Sequence, residues 1–225
     1  MTIHENMMVY KNLEEKRPRI SLVKKIPEDT SNESSITMNV HTGTHIDAPY
    51  HMDPGGSTMD QLDITKLLTS CRVLDLTAVR DKITAEDLAA HAILKNEFVL
   101  LKTANSFTEE FSSAFIYVAQ SGAEYLARQG ISGVGIDGLG IERAQPNHES
   151  HKVLMDNGII IMEGLRLKDV PAGTYFMCAL PLRILSVDGS PARVVLIETN
   201  SEKDRNLFES QEDLTGGPNE EDLYE

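Results

Sequence analysis

Residues 41–51 read His-Thr-Gly-Thr-His-Ile-Asp-Ala-Pro-Tyr-His and hold three of the chain's seven histidines beside one carboxylate. His41 and His45 are four positions apart, the spacing that places two metal-binding histidines on one face of a helix. However, Gly43, Pro49 and the β-branched residues of the segment disfavour a helix. We therefore predict that the segment is extended.

An extended segment can bring these side chains to one metal ion only if it turns. At about 3.3 Å per residue, His41 and Asp47 would lie roughly 20 Å apart in a straight strand, whereas the donor atoms of one site lie within about 4 Å of each other. Gly43 can adopt the φ that a reversal requires, and His45 and Asp47 project from the same side of a strand. Two imidazoles and a carboxylate suit Zn²⁺, with Mn²⁺ or Fe²⁺ as alternatives, and leave coordination positions for water. The alternative is a pair of hydrogen-bonded histidines beside a turn aspartate.

Composition and charge limit the classes of partner. The 225-residue chain has 35 acidic and 21 basic side chains and a net charge of −14. This charge argues against nucleic acid or an anionic membrane surface as the partner. The two cysteines, the lack of a recognisable signal peptide and the lack of an apolar run of membrane length predict a cytoplasmic protein.

The end of the chain differs in composition from the rest. Residues 201–225 carry nine acidic side chains against Lys203 and Arg205, and so supply half of the net charge. We predict a domain over residues 1–200, followed by a solvated acidic tail over residues 201–225. The alternative for the tail is a regulatory or subunit-contacting arm.

Strand and helix patterns alternate between residues 36 and 198. β-rich apolar runs predict strands at 71–76, 98–102, 133–137, 159–163, 175–180 and 193–198. A capping pattern at Thr84 opens one helix, Ser121 opens a second that ends at Gly130, and a third covers residues 149–156. We predict one α/β domain on a mixed, β-rich and barrel-like sheet with flanking helices.

Further polar candidates lie downstream of the histidine-rich segment. His151 falls in the third predicted helix, and Glu163 ends the strand that follows, so a helix–turn–strand unit can return Glu163 towards His151. Helix capping and edge charges explain these two residues equally well from spacing alone. Asp137, at the end of a predicted strand, either orients a ligand imidazole or caps a loop.

Taken together, these segments resemble the metal-dependent cyclase-like hydrolases, whose best-known members are the bacterial kynurenine formamidases. The segment at 41–51 is similar to the signature of that family. The resemblance continues through Gly-Val-Gly-Ile-Asp at 133–137, through 151–154 with 158–163, and through Ala-Leu-Pro-Leu at 179–182. It extends to Asp-Gly-Ser-Pro-Ala-Arg at 188–193 and so covers roughly residues 36 to 198.

The resemblance implies a metal centre and an assembly. In the family, the matching residues place His41, His45 and Asp47 on one ion, and Asp47 bridges to a second ion held by His151 and Glu163. The resemblance therefore implies two ions per chain, zinc or alternatively manganese. It also implies a β-rich α/β domain of the swivelling β/β/α type, assembled as a homodimer or homotetramer.

The resemblance also implies a role for His51, the last residue of the signature, as the general acid and base. A fourth metal ligand is the alternative for His51. Tyr50 and Asp137 are weaker candidates, for contact with substrate or for support of the ligands.

The implied reaction is hydrolysis of the amide bond of a small molecule, N-formylkynurenine of tryptophan catabolism or a similar N-formyl aryl amine. Two features depart from the family: the chain lacks Trp, and Gly-Leu-Gly-Ile-Glu at 138–142 lacks the expected hydroxyl. A hydrolase of cyclic amides or lactones with the same metal centre is therefore one alternative. A non-enzymatic metal- or ligand-binding protein is the other.

Overall fold

A closed barrel of strands forms the centre of the computed structural model, which describes residues 1–198. The strands found in these residues are β1 Arg19–Lys24, β2 Glu33–Thr37, β3 His45–Asp47, β4 Leu68–Asp75, β5 Lys82–Ile83, β6 Phe98–Lys102, β7 Tyr117–Val118, β8 Gly133–Ile136, β9 Ile160–Glu163, β10 Gly173–Pro181 and β11 Gly189–Ile197. The helices are α1 Ala85–Ala89, α2 Gln120–Gln129 and α3 Glu149–Asp156, with 3₁₀ turns at Tyr10–Asn12, Glu14–Lys16, Pro49–His51, Met59–Gln61, Ile64–Leu67 and Ala104–Phe107. The acidic tail predicted over 201–225 lies outside the described residues.

The barrel has a parallel half and an antiparallel half. Its strand order is β10-β11-β3-β9-β8-β6-β4. The contacts β4–β6, β6–β8 and β8–β9 are parallel, and the other contacts are antiparallel. The helices lie in the connections between the parallel strands, as parallel pairing requires a crossover.

Because side chains alternate between the two faces of each strand, the apolar residues form two separate cores. On β6, Phe98 and Leu100 belong to the cluster inside the barrel, whereas Val99 and Leu101 belong to the cluster beneath the helices. Inside the barrel, a Cβ at Gly133 would lie 2.2 Å from the Phe98 ring, so this position accommodates only glycine. The interior is therefore filled by side chains, and the polar site must lie elsewhere.

The predicted fold class is confirmed, and several details differ. Each predicted strand corresponds to an observed one, although β4, β10 and β11 begin earlier than predicted. The hairpin of β1 and β2 and the short strands β5 and β7 were not predicted, whereas β3 lies in the segment that was predicted to be extended. The start of α2 was predicted wrongly: Ala119 is its N-cap and Ser121 lies inside the helix, whereas its end at Gly130, in the left-handed conformation, is as predicted.

The β1–β2 hairpin shows that apolar residues in a strand do not by themselves predict that the strand joins a core. Every residue of β1 and β2 is exposed, so its apolar side chains pack against no core within residues 1–198. Across the same part of the chain, no helix is long and apolar enough to cross a membrane.

Candidate metal centre

The histidine-rich segment turns at Gly43 and then enters the barrel as β3. Gly43 has φ +75°, the reversal that was predicted from the sequence. In the register of the sheet, His45 lies opposite Glu163 and Ile46 lies opposite Met162. Because side chains alternate, Ile46 and Met162 fill the barrel interior, and His45 and Glu163 share its outer face.

Two histidines and two carboxylates meet on this outer face. His45 Nε2 lies 3.4 Å from Asp47 Oδ1 and 3.4 Å from Glu163 Oε2. From α3, His151 Nε2 lies 3.5 Å from Asp47 Oδ2 and 3.3 Å from Glu163 Oε1. These four residues, each only 1–6% exposed, are called the buried set below. Each carboxylate thus presents its two oxygens to different imidazoles.

The buried set leaves polar atoms without partners. His45 Nδ1–H donates to the Gly43 carbonyl at 2.9 Å, which leaves Nε2 directed at the carboxylates. Neither His45 Nε2 nor Asp47 Oδ2 has a hydrogen-bond partner among residues 1–198, although both atoms are buried. Unpaired buried donors and acceptors are costly, and nitrogen and oxygen ligands of this kind suit a divalent metal ion. The donor set therefore fits a metal site.

His41, His51 and Asp188 form a second group beside the first, called the half-buried set below. His41 Nδ1 lies 2.9 Å from Asp47 Oδ1, and its Nε2 lies 2.8 Å from Asp188 Oδ2. His51 Nδ1 lies 3.2 Å from the same Asp188 oxygen. One donor atom each from His41, His45 and Asp47 also lies within 4.8 Å of the others, so His41 can join the metal site.

Electrostatics couples the histidines of the buried set to its carboxylates. Burial alone would lower the pKa of His45, but the Asp47 and Glu163 carboxylates raise it to about 10. Burial and the nearby Asp47 carboxylate would raise the pKa of Glu163, but the His151 and His45 rings beside it lower it to about 2. The negative charge that holds these protons would equally hold a cation, so we expect metal binding to release protons.

Glu142 contacts His151 and was not singled out from the sequence. Its buried carboxylate lies 3.1 Å from His151 Nδ1 and accepts the backbone N–H groups of Ser150 and His151 at 3.1 and 3.3 Å. It also contacts His148 Nδ1. Glu142 thereby orients the His151 ring. The acidic residue at the end of the 138–142 segment was the available signal.

Asp188 was also missed as a candidate. It begins the Asp-Gly-Ser-Pro segment at 188–191 and lies immediately before β11. Its partners His41 and His51 are more than 130 residues away along the chain. Only the pairing of β3 with β11 brings them together.

The two weaker candidates, Asp137 and Tyr50, are not among the residues that line the cleft above the buried set. The Asp137 carboxylate accepts hydrogen bonds from Thr103 N at 2.7 Å, Thr103 Oγ1 at 2.6 Å and Ser106 Oγ at 2.7 Å. These contacts fit the loop-capping alternative and not the support of a ligand imidazole. Tyr50 is 43% exposed on the 3₁₀ turn that ends at His51.

A cleft of about 380 Å³ opens above the metal centre. His41, His51, His151 and Glu163 lie among the residues that line it, and Tyr10 contributes from the N-terminal segment. A concave site with a few convergent polar groups is the usual form of a small-molecule site. The cleft therefore gives a small molecule access to both sets.

Comparisons with known proteins identify the family and the fold of this chain. The profile of the family described as putative cyclase matches residues 1–143. The kynurenine formamidase of Salinibacter ruber is 33% identical over 172 residues, which cover 75% of this chain and 81% of that protein. A solved structure described as a potential metal-dependent hydrolase with cyclase activity is 50% identical, with a TM-score of 0.83 over 89% of this chain and 96% of that chain. Isatin hydrolase A from Ralstonia solanacearum shares the fold at 21% identity, with a TM-score of 0.75 over 88% of this chain and 90% of that chain.

Proposed function

We propose that the chain hydrolyses the amide bond of N-formylkynurenine or a similar N-formyl aryl amine. The premise is that the chain belongs to the cyclase family of metal-dependent hydrolases. The observation that carries the proposal is the buried set, with its unpaired His45 Nε2 and Asp47 Oδ2, at the base of a cleft that His51 also lines.

The proposed metal content is two zinc ions per chain, with manganese as the alternative. His41, His45 and Asp47 would hold one ion, and Asp47, His151 and Glu163 would hold the other. The orientation of Asp47 supports a bridging role, because Oδ1 faces His41 and His45 whereas Oδ2 faces His151. When bound, the metal supplies a Lewis acid that lowers the pKa of water and polarises the carbonyl group.

His51 is proposed to move the proton. Burial lowers the pKa of His51, although the nearby Asp47 carboxylate opposes this shift, so the ring is neutral at pH 7 and able to accept a proton. Its Nδ1–H donates to Asp188, which leaves Nε2 to take a proton from water and return it to the leaving nitrogen. The C–N bond breaks, and the products are formate and the aryl amine.

A hydrolase of cyclic amides or lactones is the second candidate. Gly140 lines the cleft in the segment where the family resemblance implies a hydroxyl, and the chain contains no Trp. Both features support a pocket that differs from that of a formamidase. Family membership argues against the remaining alternative, a protein without enzymatic activity.

The test compares kcat/KM for N-formyl aryl amines, cyclic amides and lactones at identical metal loading. We expect hydrolysis of the N-formyl compounds with a weak KM, since the loss of an aromatic contact costs about tenfold in affinity. Turnover of ring substrates with only background hydrolysis of every N-formyl compound would replace the first candidate by the second.

Assembly and location are also proposals. A homodimer or homotetramer would cover apolar side chains that the β1–β2 hairpin exposes, and light scattering on the purified protein measures the mass. The cytoplasmic location stays a prediction.

A further inference from the structure

The edge of the cleft carries positive charge in a strongly acidic protein. The chain has a net charge of −14, yet Lys11 and Lys16 both line the cleft. Their Nζ atoms lie 5.3 and 5.5 Å from the centre of the Tyr10 ring. No ion pair within residues 1–198 includes either lysine. Both charges are therefore available to a ligand.

The segment that carries these lysines is fixed to the metal-binding segment. Thr42, next to His41, donates its hydroxyl to the Lys16 carbonyl at 2.8 Å. The Tyr10 ring packs edge-on against Phe111 and Phe115, with centroids 5.6 and 6.1 Å apart. The backbone that carries the two lysines consequently has a defined position relative to His41.

The Lys11 backbone adds a second observation. Lys11 and Asn12 adopt left-handed conformations, with φ of 56° and 51°. Such conformations are unfavourable for residues with a side chain and persist where the surrounding contacts impose them, often at ligand sites. Here they form the 3₁₀ turn Tyr10–Asn12 at the edge of the cleft.

Side chains of opposite charge line different parts of the cleft. Its base carries the carboxylates of Glu142 and Glu163, and its edge carries two ammonium groups. With the proposed metal ions in place, the base would take the carbonyl group of the amide, and the ammonium groups of Lys11 and Lys16 are the cations left for an anionic substituent. This arrangement orients a molecule that has an amide at one end and an acid at the other.

We propose that Lys11 and Lys16 bind a carboxylate of the substrate and so select N-acyl aryl amines that bear an acid over neutral ones. This inference rests on the proposed function for the identity of the bond that is cleaved. The binding of the acid does not depend on the proposed function and can be measured separately.

The test uses N-formylanthranilate and its neutral counterpart formanilide on the metal-loaded full chain. In the K11Q/K16Q variant, the ratio of kcat/KM for the acid to that for the neutral compound should fall about tenfold, through KM of the acid. The matched control is K25Q, which removes a positive charge from an exposed residue outside the cleft lining. An unchanged ratio in K11Q/K16Q, or an equal fall in K25Q, would overturn the inference.

A binding measurement separates this inference from the proposed reaction. Calorimetry should give a dissociation constant for anthranilate about tenfold below that for aniline, and K11Q/K16Q should remove the difference. If the difference is found while no N-formyl compound is hydrolysed, the proposed reaction fails and the acid-binding role stands. If anthranilate and aniline bind equally to the unmodified chain, the acid-binding role fails whatever the turnover.

Discussion

The buried set and the half-buried set contain similar residues but are positioned by different means. Asp47 and Glu163 of the buried set lie on paired strands, where register fixes which side chains share a face. His41, His51 and Asp188 lie in the turns that precede or follow β3 and β11, and a single oxygen of Asp188 joins both histidines. Under the proposed function, the buried set and His41 would hold the metal, whereas His51 and Asp188 would handle the proton.

Solvent access supports this division. Desolvation strengthens the interactions of the buried set with each other and with a cation, because few water molecules screen them. His51 lines the cleft and its side chain is 27% exposed, so a proton can be exchanged there with a bound substrate. Variants that change metal content and turnover separately test whether metal binding and proton transfer belong to different residues.

The largest effect is expected from Asp47→Ala. This variant removes the carboxylate that contacts both groups of histidines, so metal content should fall close to zero and kcat/KM should fall by roughly 10³-fold or more. Atomic emission of the dialysed protein measures the metal, and Asp169→Ala is the control for loss of an exposed negative charge. Retention of full metal content in Asp47→Ala would contradict the assignment.

The number of metal ions bound per chain can be measured by the same atomic emission experiment. Two ions per chain are expected in the unmodified protein, and chelation should abolish turnover and lower Tm together, since the ligands join β3, α3 and β9. A reproducible content of one ion with full activity would contradict the two-ion proposal.

His51→Ala should separate catalysis from metal binding. We expect a loss of roughly 10²-fold in kcat with most of the metal retained, because His51 is proposed to move the proton and not to bind the metal. His91→Ala, a histidine beyond the end of α1, serves as the control. A metal-free His51→Ala protein would identify His51 as a ligand and remove the distinction between the two sets.

Sequence reasoning predicted the buried set better than its surroundings. Residues 41–51 are contiguous, so the turn at Gly43 and the common face of His45 and Asp47 follow from local geometry and spacing. His151 and Glu163 needed the family resemblance, because their spacing alone fits capping equally well. Family membership confirms that resemblance.

The partners of the site could not be predicted in the same way. Asp188 reaches His41 through the pairing of β3 with β11, and the register of that pairing is a property of the closed barrel. Glu142 meets His151 through backbone contacts at the start of α3. Neither contact leaves a local pattern in the sequence.

Asp188→Asn tests the internal organisation of the half-buried set. The substitution keeps the shape but removes the charge that holds the His51 Nδ1–H, so kcat should fall by about 10-fold to 100-fold with metal content unchanged. A pH profile of kcat distinguishes a change in the ionisation of His51 from a general loss of folded protein. A loss of activity as large as that of Asp47→Ala, together with loss of metal, would show that Asp188 is needed for metal binding.

The smallest effect is expected from deletion of residues 201–225. Both sets, the cleft and the two lysines at its edge lie within residues 1–198, so turnover of formanilide and metal content should remain within about twofold. The deletion removes half of the net negative charge, which at low ionic strength should modestly favour association of an anionic substrate. Measuring kcat/KM for N-formylanthranilate at low and high salt isolates that electrostatic contribution. A loss of metal, of turnover or of the assembled mass on truncation would show that the tail contacts the domain, and the solvated-tail prediction would be wrong.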